Sequence, residues 1–157
     1  VVRSPLWFRT GSSRPETSYA VTQLSRVVAK PYAVATHGCS QTFASILKST
    51  TALGIKYLGS VSPSPTPVLE GYCDADCGGD LATRKSCTGY TFLLAQGPIV
   101  WHSKLQSLVA QSSTESEYIG LALAGNEAVY LHGLLASRGA KQRGPTVLYE
   151  ESRVQFT

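Results

Sequence analysis

Residues 59–71, GSVSPSPTPVLEG, place Pro63, Pro65 and Pro67 at alternate positions among serine and threonine. Proline has no amide donor and holds φ near −65°, so neither a helix nor a central strand can run through such a stretch. An extended linker over 61–67 is expected, and the apolar pattern differs on its two sides. Upstream, SSRPETSYAVTQLSRVVAKP predicts a helix: Ser13 and Glu16 have capping-box spacing, Pro15 lies in the first turn and Pro31 follows the end. Tyr19, Val21, Leu24, Val27 and Val28 form its apolar face. A second helix is expected over QTFASILKSTTAL, with Phe43, Ile46, Leu47 and Leu53 turned to a core and Gly54 as the stop.

Downstream, VLEGYCDA, SCTGYTFLLA and PIVWHSK are short β-prone runs separated by GGD and QGP. They predict an antiparallel meander of three strands. SSTESEYIGLALAGNEAVYLHGLLASRG then predicts a long helix, capped by serine and stopped at Gly139. Its apolar positions, Ile119, Leu123, Ala124, Ala128, Leu131 and Leu135, exceed one narrow stripe, so the helix should be largely buried. PTVLYE completes the pattern as a fourth strand, reached by a crossover and so parallel to its neighbour. The expected class is α/β: a mixed sheet of a three-strand meander, a long helix and a parallel fourth strand, with a helical subdomain before it.

Charge divides along the same line. Residues 1–66 carry seven basic side chains against one acid, a balance of +6, and residues 67–157 carry seven against nine, a balance of −2. A polyanion-binding surface beside a cation-binding one would account for this, as would scattered Lys and Arg that solvate helices. No stretch approaches the roughly 20 consecutive apolar residues that span a bilayer, and no membrane partner is expected. The amino terminus lacks the apolar run of a secretory signal. Cys39, Cys73, Cys77 and Cys87 do not form paired zinc modules, which favours free thiols in a reducing, intracellular compartment, cytoplasmic or nuclear. With Val1 at its start and no methionine, the chain reads as a fragment of a longer product.

Carboxylates sit at the ends of three of the later elements: Asp74 at the end of the first strand, Glu117 in the opening turns of the long helix, Glu151 just past the last strand. Converging carboxylates are what Mg²⁺ requires, since a hard dication takes oxygen ligands, and two such ions can drive phosphodiester hydrolysis. Solubility and the helix dipole favour acids at the same places, so the pattern alone leaves both explanations open.

RPETSYAVTQLSR, GYCDADCGGDLATRKSCTGYTFLL, GPIVWHSKLQSLVAQSSTESEY and VLYEES, in this order, resemble the end of the reverse transcriptase and the start of the ribonuclease H domain in copia-type LTR retrotransposon polyproteins. The resemblance runs from about Ser4 to Glu151. It implies a reverse transcriptase helical remnant over 1–60 (thumb and connection), the linker, and a truncated ribonuclease H-like domain over 68–157. The implied activity is cleavage of the RNA strand of an RNA–DNA hybrid with two Mg²⁺ ions, Mn²⁺ being the tolerant substitute. Carried over residue by residue, Asp74 and Glu117 are the first catalytic carboxylates and metal ligands. Glu151 stands for the third, where the family has Asp followed by Asn and this chain has Glu151-Ser152. The extra methylene exceeds the roughly 0.5 Å tolerance of a productive site. The fourth acidic position would lie beyond Thr157. Cys77 in place of a Trp, His37-Gly38 in place of His-Trp, Glu16 in place of Asp and Arg3-Ser4-Pro5 in place of Gly-Ser-Leu are further departures. Together they imply impaired catalysis, with a non-catalytic nucleic-acid- or protein-binding module as the alternative.

By the same resemblance Arg84 and Lys85 could meet a nucleic-acid backbone or simply form an exposed turn, and Ser113 could touch substrate in addition to the helix start. Asp76 and Asp80, beside Gly78 and Gly79, read as a solvated turn. Self-association through the open sheet edge is a further expected partner mode.

Overall fold

In the computed structural model, residues 13–29, 33–58 and 67–150 are described, with the side chains of 26–29, 33–39 and 42 excepted. The chain divides into two compact units, Val1–Ile55 and Lys56–Thr157. The proline segment 61–66 and Glu151 lie outside the described residues.

In the first unit a 3₁₀ turn, Pro15–Thr17, leads into α1, Ser18–Ala29, which packs against α2, Ala33–Ser49. The start is built differently from the expected capping box. Glu16 pairs with the Arg14 guanidinium, and the hydroxyl of buried Thr17 donates to the Arg14 carbonyl (2.8 Å). Arg14 also donates to Thr50 Oγ1 (2.5 Å), tying the first turn to the end of α2. Leu24 is the buried apolar side chain among the described residues of this unit. The second helix begins well before Gln41 and stops at Ser49, where Thr50 N–H donates to Ile46 O (3.1 Å). Leu53 is therefore outside it and exposed, and Ile46 is exposed as well.

In the second unit strict alternation in residues 69–75 decides the fold. Leu69, Gly71, Cys73 and Ala75 are buried while Tyr72 and Asp74 are exposed, the signature of a strand covered on one face. This strand, β1 (Glu70–Ala75), lies between β2 (Cys87–Leu94) and β4 (Val147–Glu150); β3 (Gly97–Leu105) flanks β2, in the order β3-β2-β1-β4. The first three are antiparallel, and β4 runs parallel to β1. The expected α/β architecture with a mixed four-strand sheet and one long helix is thus present, in a ribonuclease H-like arrangement.

The β2–β3 hairpin closes through a two-residue turn, Ala95-Gln96, both with positive φ (52° and 62°). Gly97 does not serve that turn. A Cβ there would lie 2.4 Å from the ring of Tyr57, whose hydroxyl donates to Pro98 O (2.9 Å). With Leu58 N–H on Ala95 O (3.0 Å), this contact fastens 56–58 to the hairpin. The unit boundary accordingly falls upstream of residue 60.

The long helix, α3 (Ser113–Ser137), covers one face of the sheet through Ser116, Gly120, Ala124, Ala128 and Leu131. Small residues four apart let the helix axis approach closely: a Cβ on Gly120 would already be 3.4 Å from Thr88 Cγ2 and 3.6 Å from Ala75 Cβ. The core it closes contains Leu69, Cys73 and the fully buried Phe92, with Leu148 packed at its margin. Burial of α3 is one-sided, contrary to expectation: Tyr118, Leu123, Val129, Tyr130 and Leu134 are exposed on its outer face. By length and composition alone α3 could cross a membrane, but its inner face packs on the sheet as a core helix does.

Candidate metal and nucleic-acid site

Parallel pairing brings the carboxyl ends of β1 and β4 together, with Cys73 opposite Glu150. The close seat of α3 at Gly120 brings its first turns to the same end of the sheet. Asp74 is exposed, paired with Gly89 of β2, and Glu117 is half-buried one residue after buried Ser116. Strand alternation turns Cys73 toward α3 and Asp74 away from it.

Electrostatics ties these groups to one locality. Partial burial, then the charges of Glu117 and Asp74, push the Glu150 carboxyl above the usual glutamate range. Burial, then the charges of Glu150 and Asp74, raise the Cys73 thiol above its ordinary value. Asp74 and Glu117 are the two charges that act on Glu150, a residue that sequence reasoning passed over for its neighbour Glu151. The place of Glu150 beside Cys73, on the strand face it shares with Leu148, follows from the register of β4 against β1, which the sequence does not state. Among the described residues no group of three or more His, Cys, Asp or Glu is packed tightly enough to hold an ion unaided.

The surrounding polar groups hold the frame. Asp76 accepts from Cys87 N–H (2.5 Å), closing the β1–β2 pair, and its carboxylate lies over Gly79, where a Cβ would meet Oδ2 at 2.2 Å. Asp80 accepts from Ala82 N–H (3.3 Å) and the Thr83 hydroxyl, while its carbonyl accepts from Arg84 N–H (2.6 Å). Both acids therefore organise the 76–86 turn. Gln106, buried at the end of β3, donates from Nε2 to Thr88 Oγ1 (2.8 Å) and to Ser116 O (2.9 Å). That amide locks the first turn of α3 to β2, one residue from Glu117; its Oε1 is buried without a partner. The Ser112 hydroxyl caps the helix by accepting from Glu115 N–H (3.1 Å), and Glu115 in turn accepts from Gln111 N–H (2.6 Å).

Of the residues expected at nucleic acid, Arg84 is exposed with φ 58°, and Ser113 is exposed as the first residue of α3. Lys85 is engaged within the chain, its ammonium donating to Ser107 O (2.7 Å). His132 bonds Thr146 Oγ1 (2.6 Å), and His102 stacks on Tyr90 at 5.3 Å, so both are structural. The Tyr90 hydroxyl donates to Glu127 of α3 (3.3 Å), and burial with that carboxylate pushes its pKa up to about 12. On the sheet face away from α3, Tyr72 and Tyr149 stack at 5.0 Å and Trp101 is half-buried.

No family model and no solved structure matches the chain. Among curated proteins it is 37% identical over 131 residues to the retrovirus-related Pol polyprotein from transposon TNT 1-94 of Nicotiana tabacum, covering 83% of this chain and 9% of that protein. It is 35% identical over 140 residues to the Pol polyprotein from transposon RE1 of Arabidopsis thaliana, covering 87% of this chain and 9% of that protein. It is also 38% identical over 119 residues to the secreted RxLR effector protein 161 of Plasmopara viticola, covering 76% of this chain and 80% of that protein. The chain spans under a tenth of the length of the polyproteins it matches. With the mixed sheet and its helix, similarity over most of the chain places it in the family of retrovirus-related Pol polyproteins of copia-type transposons.

Proposed function

We propose that the unit Lys56–Thr157 is a ribonuclease H-type hydrolase acting on the RNA strand of RNA–DNA hybrids, at a lowered rate. The observation that carries this reading is the convergence of two strand ends and a helix start, so that Asp74 and Glu117 both act on Glu150. Carboxylates whose charges raise the pKa of a neighbouring carboxyl at one end of a sheet are a mark of a cation site. The donor set fits Mg²⁺ in its chemistry, since the carboxylates supply only oxygen. Asp74 and Glu117 would hold the ion, with Glu150 and Glu151 as the candidates for the third carboxylate and water for the remainder. Mg²⁺, or Mn²⁺ in its place, supplies Lewis acidity that makes a water more acidic and offsets charge on the phosphodiester. Gln106 keeps Glu117 in position by pinning the first turn of α3, and Arg84 and Ser113 are the exposed groups available to a phosphate backbone. The rate is lowered because the carboxylates are loosely gathered and glutamate replaces aspartate at the third position.

A non-catalytic binding module is the second reading. It is favoured by the relative of similar extent that bears an effector name. A hybrid with labelled RNA separates the two. The hydrolase reading expects RNA cleavage in Mg²⁺, faster in Mn²⁺ and lost in Asp74→Asn. Salt-sensitive binding with no cleavage in either ion would overturn it.

A further inference from the structure

The outer face of α3 has no place in the hydrolase reading. Tyr118, Leu123, Asn126, Val129, Tyr130 and Leu134 recur along it, and Val129 and Tyr130 are 74% and 63% exposed. Between Glu117 and Arg138 the helix carries one charge, Glu127, and that side chain is turned inward to the Tyr90 hydroxyl. An uncharged stripe of this length is unusual on a water-facing helix, where polar residues normally occupy the outer face.

The ends of the stripe are charged with opposite sign. Glu115 is exposed at the amino end, while Arg138, Lys141 and Arg143 are exposed at and just beyond the carboxyl end. An identical helix laid antiparallel would set each acidic end against a basic one. A parallel copy would set like against like.

We propose that this face is the contact of a two-fold symmetric dimer, in which α3 packs antiparallel on α3 of a second copy. An axis through Asn126 sets Tyr118 beside Val129 of the second copy along one edge of the seam and Leu123 beside Leu134 along the other, with Tyr130 and the small Ala122 at matching heights nearer the axis. Large thus meets small or apolar along the seam. At the axis the two Asn126 amides can each donate to and accept from the other, which fixes register as a single polar seam residue does in coiled coils. At 1.5 Å per residue the helix is about 37 Å long, and with a width of about 10 Å it offers roughly 400 Å² per copy. A standard interface offers about 800 Å² a side, so a dissociation constant on the order of 10–100 μM is expected.

Sedimentation velocity of the full chain from 5 to 500 μM, as order-of-magnitude bounds around that range, tests the proposal. The expected result is a concentration-dependent shift from monomer to dimer. Val129→Glu should weaken it more than about tenfold, since each copy would bury an unpaired carboxylate. Glu115→Arg and Arg138→Glu should each weaken it, and the two together should restore it, with circular dichroism confirming the fold of every variant. A monomer at all concentrations would overturn the proposal, as would a dimer indifferent to Val129→Glu. Flotation of the monomer with phosphatidylcholine vesicles, abolished by Val129→Glu, would assign the face to lipid instead.

Discussion

Gly71→Ala is the perturbation whose outcome follows most closely from the packing. Gly71 pairs with Phe92 on one side and Leu148 on the other. A Cβ there would lie 2.4 Å from Leu148 Cδ2 and 2.7 Å from Phe92 Cε1. Ordinary contact begins near 3.4 Å, so about 1 Å of movement is needed. Leu148 is only half-buried and its methyl can rotate away, but Phe92 is fully buried among Cys73, Ala124 and Leu131 and has nowhere to go. Overpacking of this kind costs about 1–3 kcal/mol, and the entropy that alanine removes from the unfolded chain returns about 0.4–1 kcal/mol. A net loss of about 1–2 kcal/mol is expected. For a unit of this size it lowers the melting temperature by roughly 5–10 °C in a circular dichroism melt. Phe92→Leu in the same chain should open the needed space, making the double variant less destabilised than the sum of the single ones. An unchanged or raised melting temperature in Gly71→Ala would refute the claim that Phe92 lies rigidly across this strand.

Replacing Ala95-Gln96 by Asn-Gly should stabilise the hairpin by about 1 kcal/mol in urea unfolding, because both positions hold left-handed backbone that these residues adopt readily. Gln106→Ala should cost about 2–3 kcal/mol by the same measurement, since the first turn of α3 loses its tie and Thr88 and Ser116 O lose their donor. Glu150 has its pKa raised on folding, so its contribution to stability is present in acid and is lost as pH rises through the folded-state value. Glu150→Gln should therefore melt like the parent below about pH 4 and higher than it at neutral pH, and the gap should narrow when millimolar Mg²⁺ is added.

Much of the second unit could be read in the residues themselves. Alternation in 69–75, turn residues between runs, and serine before a long apolar helix lead to the observed order of elements, with the parallel fourth strand where a crossover puts it. The misjudged features depend on contacts between distant residues. Gly97 looked like the hairpin turn but is required by the Tyr57 ring, forty residues earlier in the chain. Ser13 and Glu16 had the right spacing for a cap, yet Arg14 reaches both Glu16 and Thr50 and draws the carboxylate away. The apolar surplus of α3 suggested a largely buried helix, whereas the sheet covers only one side. At the site, Asp74 and Glu117 were legible by their places at element ends. Glu150 was not, because its place depends on strand register, which sets it opposite Cys73, where the charges of both other carboxylates act on it.

The most direct test of the shared site is paramagnetic broadening by Mn²⁺ in backbone amide spectra of the isotope-labelled chain. The account predicts that residues 73–75, 116–118 and 149–150 lose intensity together, along one titration curve, and that Asp74→Asn weakens all three responses at once. Broadening of the 73–75 group with the 116–118 group untouched would contradict it.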